Sequence, residues 1–337
     1  MPTIRDVARE AGVSIATVSR VFQGGANVLP ETKERVMDAV EKLDYHPNRL
    51  AQQFRTQQTN NVMVVIPELG NPFYSDILNG IESVAKASNY SVILMDSHGE
   101  AQTEARCFEL LSQKMVDGII TFSASLPQEE IQRFAEQYPI VVACRYFDAG
   151  VLPNVTIDNT KASKDMVNYM LNLGHKRICY LAGPSDILLY RDRMNGYLSA
   201  LADRGLPVDQ GLILNCEPSV QGGYDAMNAA INNASMDFTA VVASGDTMAI
   251  GAIRALRSHG HKVPRDIAVA GFDDIELSAL FSPTLTTVRQ PKQQIGVRSM
   301  EKLLDLIAGK TPAQYREVLP YELVIRESSG DFVGNKG

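Results

Sequence analysis

Cysteine is scarce in this 337-residue chain: the four that occur, Cys107, Cys144, Cys179 and Cys216, lie far apart and form no C-x-x-C pair. Disulfide frameworks and zinc ribbons need closer, repeated spacing, so neither is expected. Three of the four sit in or beside apolar strand-like runs, where buried free thiols are common. The five histidines are scattered without ligand spacing, so no metal is expected, and no cofactor motif replaces it. No apolar run approaches the roughly 18 residues that span a bilayer. The start, Met1-Pro2-Thr3-Ile4-Arg5-Asp6, has no signal-peptide core, which implies a cytoplasmic protein without membrane contact. There is no G-x-G-x-x-G after the first strand, no G-x-S-x-G elbow and no P-loop. An enzyme is not expected.

What is present divides into parts. The length argues for two or three domains. The net charge is −7, which opposes nucleic-acid binding as a whole because such binding rests on phosphate neutralisation. Residues 1–60, however, hold eight Lys/Arg against seven Asp/Glu. A near-neutral head on an acidic body suits a protein whose first domain alone touches DNA.

Within that head, Thr3 to Asp6 has the form of a capping box, with Asp6 where glutamate is usual. Ile4, Val7, Ala8 and Ala11 make an apolar stripe, Gly12 ends the helix, and Ser14 caps a second one. Over Val13–Arg20 a helical period gathers Val18, Val21 and Phe22 on one side and Ala16, Ser19 and Arg20 on another, with Ile15 on the border. Such a pair fits a helix-turn-helix, and equally any small helical hairpin. A third helix opens at Pro30 and aligns Val36, Val40 and Leu43. After Tyr45-His46-Pro47, the segment Asn48–Arg55 reads as a short helix followed by a polar tether to Asn61.

From Val62 the pattern alternates between strand and helix. Val62–Ile66, Ser91–Met95, Gly118–Phe122 and Ile140–Cys144 read as buried strands; Ile178–Ala182, Leu212–Leu214, Ala240–Ala243 and Ile267–Ala270 repeat the rhythm. Continuous apolar runs of this kind indicate parallel sheets covered on both faces. Two sets of roughly equal length imply two similar α/β lobes. A helix over Gln294–Ile307 and a last strand at Glu322–Arg326 imply several crossings between the lobes and a hinged cleft. Residues 328–337 are polar and glycine-rich, without a leucine heptad.

Ligands of open α/β sheets bind beyond the carboxyl ends of the strands. Phe73, Tyr74, Phe122, Asp158, Arg193 and Asp273 fall there. Carboxylates and an arginine among aromatic rings can hold a polyhydroxylic ligand. Asp158 and Asp273 also fit as helix caps, and the three aromatic residues as ordinary core.

Thr3–Ala8, Ala11–Ser14 and Thr17–Val21 resemble the head of the lactose-repressor family, and Asn48–Gln53 resembles its hinge helix. Leu173–Ile178, Gly271–Asp274 and Pro283–Val288 are similar to its core signatures. The phrases Leu152–Asn159 and Asn71–Ser75 look closest to the cytidine- and purine-repressor branch. The resemblance covers about residues 2–327. It implies a helix-turn-helix head over residues 1–46, a hinge helix and linker over 47–60, and a periplasmic-binding-protein-like core of two Rossmann-like lobes over 61–330. The first lobe takes about 61–159 and 291–320, the second about 160–290 and 321–330, leaving a frayed tail at 331–337. By resemblance Ile15, Ala16 and Arg20 read bases, and Thr17 and Ser19 anchor phosphates. Thr3, Ser14 and Asn48 join the DNA contacts, while Ala51 and Phe54 enter the minor groove, with Phe54 where a leucine wedge is usual. Phe73, Tyr74, Phe122, Asp158, Arg193 and Asp273 correspond to effector-pocket positions.

The function implied is a dimeric, sequence-specific transcription regulator: a repressor on a pseudo-palindromic operator, modulated by a small nucleoside-like or sugar effector. A binding protein without a DNA role lacks a use for the helical head, and a sugar- or nucleoside-processing enzyme lacks a nucleophile or base.

Overall fold

The structure, a computed structural model, describes residues 2–22, 28–45, 58–123, 125–146, 152–233 and 237–330, and the chain divides into two units, Met1–Thr59 and Asn60–Gly337.

The first unit is helical. Helix α1 spans Ile4–Glu10. The backbone N–H and the hydroxyl of Thr3 both donate to Asp6 Oδ2, at 2.9 and 2.7 Å. These bonds hold the Asp6 carboxyl below the usual range, so aspartate serves in this capping box where glutamate is common. Gly12 takes φ 64° and turns the chain, a conformation that costs any other residue strain. Helix α2 spans Ile15–Phe22, and Ser14 Oγ accepts from Thr17 N at 3.1 Å at its start. Helix α3, Pro30–Lys42, begins on proline, whose missing N–H would be unpaired there in any case. Val7, Val18 and Val36 are fully buried at the centre of the three, with Ala8, Ala11, Val21, Ala39 and Tyr45 around them. Burial of each valine stabilises the unit by about 2 kcal/mol. Arg35 reaches back from α3 and donates to the carbonyls of Ala11 and Gly12. It satisfies the orphan carbonyls at the end of α1. The expected hinge helix, with Asn48, Ala51 and Phe54, lies outside the described residues.

In the second unit β1 (Asn61–Ile66), α4 (Tyr74–Ala87), β2 (Ser91–Asp96), α5 (Ala101–Ser112), β3 (Gly118–Thr121), α6 (Gln128–Ala135), β4 (Ile140–Ala143) and β5 (Asn154–Ile157) follow one another. With β11 (Arg316–Leu319) the strands form one parallel sheet in the order β11-β5-β4-β3-β1-β2. The chain then runs through α7 (Asn159–Asn172), β6 (Ile178–Ala182), α8 (Leu188–Asp203), β7 (Ile213–Asn215), α9 (Val220–Asn232), β8 (Ala240–Ala243), α10 (Asp246–Ser258) and β9 (Ala268–Ala270). These strands make a second parallel sheet, β7-β6-β8-β9. After α11 (Glu276–Leu280), β10 (Thr287–Arg289) pairs antiparallel with β12 (Glu322–Val324). Between them α12 (Lys292–Ile307) returns to the first sheet's α4. A Cβ on Gly296 would lie 2.0 Å from Ile77 O, and one on Gly80 2.2 Å from Gln293 O. The two helices therefore touch backbone to backbone, which glycine alone permits.

The chain crosses between the sheets three times: at Asp158 after β5, at Gln290-Pro291 after β10, and at Pro320-Tyr321 after β11. The architecture of two parallel-sheet lobes follows the sequence reading, and three details differ. Ser91–Met95 is not a buried strand: it forms the edge of its sheet, with Ile93 and Leu94 exposed. Leu212–Leu214 shifts to a partly exposed edge strand at Ile213–Asn215. The lobes are also unequal, six strands against four. Among the described residues no helix is long and apolar enough to cross a membrane, and all four cysteines are free thiols.

Candidate functional site

Helix α2 keeps its two faces apart. Val18 and Val21 are buried against α1 and α3, whereas Ile15, Ala16 and Arg20 are exposed. Thr17 Oγ1 and Ser14 Oγ lie 2.9 Å apart at the helix start. Among the described residues Arg20 makes no hydrogen bond or ion pair, leaving its guanidinium donors for an outside partner. A helix with small residues near its start and an exposed arginine one turn on has the dimensions and donor set to read a major groove.

The second site lies where the carboxyl ends of the two sheets meet. From the first lobe come Phe73 and Tyr74, at the start of α4, and Phe122, just past β3. Their rings stack edge-on in series, Phe73 to Tyr74 at 5.4 Å and Tyr74 to Phe122 at 5.3 Å. Phe73 and Phe122 are buried, so the half-buried Tyr74 presents the series to the cleft. From the second lobe comes Arg193 on α8. Its Nε donates to Asn159 Oδ1 at 2.9 Å, Nη1 to Ser244 O at 2.6 Å, and Nη2 to Asp273 Oδ1 at 3.1 Å. The Phe272 ring lies 3.7 Å from the guanidinium carbon. Gln290 Nε2 donates to the same Asp273 oxygen at 2.7 Å.

Two consequences follow from counting donors and acceptors. Among the described residues three of the five guanidinium N–H groups are used. Asp273 Oδ1 is used twice, while Oδ2 lies beside Gly245, where a Cβ would be 3.8 Å away. An N–H and a carboxylate oxygen side by side can grip the two hydroxyls of a diol. Asn159 directly follows the first crossing and Gln290 lies at the second, so the Arg193–Asp273 pair is bonded to the chain segments that join the lobes.

The electrostatics fit this use. Burial, with the Asp273 charge adding to it, pushes the Asp246 carboxyl up to about 7. Asp246 accepts from Thr287 Oγ1 at 2.6 Å, Ser278 Oγ at 2.7 Å and Ile275 N at 2.9 Å. It holds the loop after β9 with its titration moved toward neutral pH, while burial also raises the Asp273 carboxyl, against the lowering effect of Arg193 beside it. Burial raises the Tyr74 phenol far above its usual value and the Tyr190 phenol to about 12. Both therefore face the cleft as neutral hydroxyls.

Of the six expected effector residues, the structure brings Phe73, Tyr74, Phe122, Arg193 and Asp273 to this cleft. Asp158 is spent differently: Oδ1 caps α7 by accepting from Lys161 N at 2.9 Å, and the residue is exposed. Asp273 caps no helix; it takes φ 113° and its N–H donates to Val288 O at 2.9 Å. Ser244, Gln290 and Tyr190 were not anticipated, since each is placed by a fold contact and belongs to no motif; Asn159 stood at the end of the phrase Leu152–Asn159 but was not singled out as a site residue. A separate open groove of about 790 Å³ runs along the second crossing, lined by Asp76, Asn79, Asp274, Arg289, Gln290 and Lys292 among others. Both of its cations are paired with its own carboxylates, Arg289 with Asp274 at 2.7 Å and Lys292 with Asp76 at 3.2 Å, so it offers an anionic ligand less than the cleft does.

Comparison with known proteins matches both units. Residues 3–48 match the model of bacterial regulatory proteins of the lacI family, and residues 59–324 that of periplasmic binding proteins and the sugar-binding domain of the LacI family. The chain is 38% identical over 330 residues to the HTH-type transcriptional regulator RegA of Clostridium saccharobutylicum, covering 97% of this chain and 99% of that one. It is 34% identical to the HTH-type transcriptional repressor CytR of Escherichia coli strain K12, covering 97% and 96%. Among solved structures, the lac repressor dimer bound to operator and the anti-inducer ONPF superposes with a TM-score of 0.87 at 28% identity, over 97% of this chain and 99% of that one.

Proposed function

Since the chain belongs to the LacI family of bacterial regulatory proteins, and is thus a DNA-binding transcription regulator and not an enzyme, we propose that it acts in the cytoplasm as a dimeric repressor whose operator affinity is set by a small polyhydroxylic ligand, a nucleoside or a sugar. The observation that carries the reading is the division of α2 into a buried Val18–Val21 face and an exposed face bearing Ile15, Ala16 and Arg20. Two such heads, on a dimer, suit a pseudo-palindrome with half-sites about one helical turn apart. In this reading Arg20 donates to a base edge, Ile15 and Ala16 make apolar contacts, and Thr3, Ser14, Thr17 and Ser19 position the head on phosphates. Asn48, Ala51 and Phe54 act at the operator centre.

The cleft supplies control. A ligand held by Arg193 and Asp273 on one lobe and covered by Tyr74 on the other stabilises one lobe arrangement. Asn159 and Gln290 pass that preference to the crossings. Coupling of this kind amounts to ~1–3 kcal/mol in regulators generally. Gel retardation of genomic fragments by the purified full-length protein tests the assignment. A specific, salt-sensitive fragment is expected, and its absence under every ligand condition contradicts the reading.

A further inference from the structure

Helix α12 opens on Lys292, directly after the second crossing, and this lysine is buried, with 8% of it exposed. A cation gains nothing at the positive end of a helix, and an ammonium taken out of water must be paired to be tolerated. Its partners lie on both lobes. Nζ stands 3.2 Å from Asp76 Oδ2, in the first turn of α4 and two residues beyond Tyr74. It also donates to the carbonyl oxygen of Asp274 at 2.5 Å. Asp274 belongs to the loop after β9 and follows Asp273, whose carboxylate meets Arg193.

In that loop the second lobe departs from ordinary backbone. Asp273 takes φ 113° and Asp274 φ 50°, two successive residues in a region that side chains rarely adopt. Such a conformation persists where surrounding contacts impose it. Several of these contacts come from the second lobe itself. Asp273 N–H donates to Val288 O at 2.9 Å and Asp274 N–H to Thr287 Oγ1 at 3.3 Å. Arg289 Nε and Arg326 Nη2 hold the Asp274 carboxylate at 2.7 and 2.6 Å. The Lys292 bond is the contribution of the first lobe. The backbone contacts at Gly296 and Gly80 lock α12 to α4, so the ammonium moves with the first lobe and the carbonyl with the second.

We propose that Lys292 is a positioning residue of the ligand response: through it the first lobe sets the turn that aims Asp273 at the ligand. This rests on the cleft being the effector site. Asn159 and Gln290 tie the Arg193–Asp273 pair to the crossings from within the second lobe, whereas Lys292 reaches the same turn from the first. A lobe rearrangement that shifts α12 pulls on Asp274 O and turns the neighbouring carboxylate. A ligand held by that carboxylate resists the shift. The ammonium thus makes the grip on ligand and the arrangement of the lobes one variable.

The test uses the full-length protein, the operator fragment it retains, and ribose, glucose, cytidine and adenosine as probes. Calorimetry identifies the probe that binds, and the operator Kd with and without that probe gives a coupling ratio. The wild-type ratio is expected to be about 5 to 150. Lys292→Met keeps the stem and removes the ammonium. It should bring the ratio to within about twofold of one while probe binding persists. By reciprocity the operator should also cease to change the affinity for the probe. Lys292→Arg, which keeps the charge and the donors, should recover part of the ratio. A purely structural lysine would instead lower the denaturation midpoint and weaken both bindings, with the ratio unchanged. A Lys292→Met ratio within about twofold of wild type, with probe bound, overturns the proposal and leaves the effector reading intact. Should Lys292→Met not fold, Lys292→Gln, whose uncharged amide stops one atom short, carries the same expectation and the same contradiction. If none of the four probes binds the wild type or shifts its operator affinity, the effector reading falls and this proposal with it.

Discussion

Arg193 Nη2 lies 3.1 Å from Asp273 Oδ1, with the arginine side chain almost wholly buried at 6% and the aspartate at 18% exposed. Ion pairs this far from water are held by geometry more than by net attraction, and removing one partner strands the other. Here the geometry has a use. The pair belongs to one lobe, and two of its other partners, Asn159 and Gln290, lie next to the crossings to the other.

Arg193→Ala should therefore abolish the effect of ligand on operator binding while leaving operator binding in the ligand-free state. It should also cost the core about 3 kcal/mol, because the buried Asp273 carboxyl is left without its cation. Retention assays with and without ligand, together with urea denaturation, report both. A retained ligand response removes Arg193 from the pocket.

In the head, Arg20→Ala should lose sequence preference more than general affinity. A bidentate contact to a base edge discriminates by about 1–3 kcal/mol, whereas phosphate contacts act on all sequences alike. Competition between operator and random DNA across a salt series measures the ratio. An equal loss on both would assign Arg20 to the backbone.

Gly296→Ala tests the close approach of α12 to α4. Alanine favours a helix over glycine by about 1 kcal/mol, but the new Cβ would lie 2.0 Å from Ile77 O. Overpacking of this kind costs about 1–3 kcal/mol or more, and since the atom met is backbone, the clash should win. A fall in the denaturation midpoint of the core is expected.

The Asp246 carboxyl predicts a pH dependence whose sign is opposite to that of a salt-bridged aspartate. Its folded value is raised from 3.8 to about 7. Between those values the folded chain holds a proton that the unfolded chain has released, so stability falls as pH rises through the window and levels off above it. Asp246→Asn removes the titration; its amide can donate to Thr287 Oγ1 while its carbonyl accepts from Ile275 N and Ser278 Oγ. Denaturation from pH 4.5 to 8 should show wild-type stability declining relative to the variant. Parallel curves would place the proton elsewhere.

The alternating strands and the two faces of α2 were legible in the sequence because each is a local period. Strand order is not local. Ser91–Met95 reads as buried since its apolar run looks like that of β1, and only the placement of β2 at the sheet edge exposes Ile93 and Leu94. Short β10 and β11 gave no period long enough to notice. Arg193 and Asp273 stood out as polar groups near strand ends, but their link to Asn159 and Gln290 joins residues far apart in the chain.

The central claim is that a ligand in the Arg193–Asp273 cleft sets operator affinity. Fluorescence anisotropy of a labelled operator, titrated with the full-length protein at fixed salt with and without the bound ligand, tests it most directly. The account predicts a shift in Kd of about 5- to 150-fold, the usual range of such coupling, that vanishes in Arg193→Ala. A ligand that binds the cleft and leaves the operator Kd unchanged would contradict it.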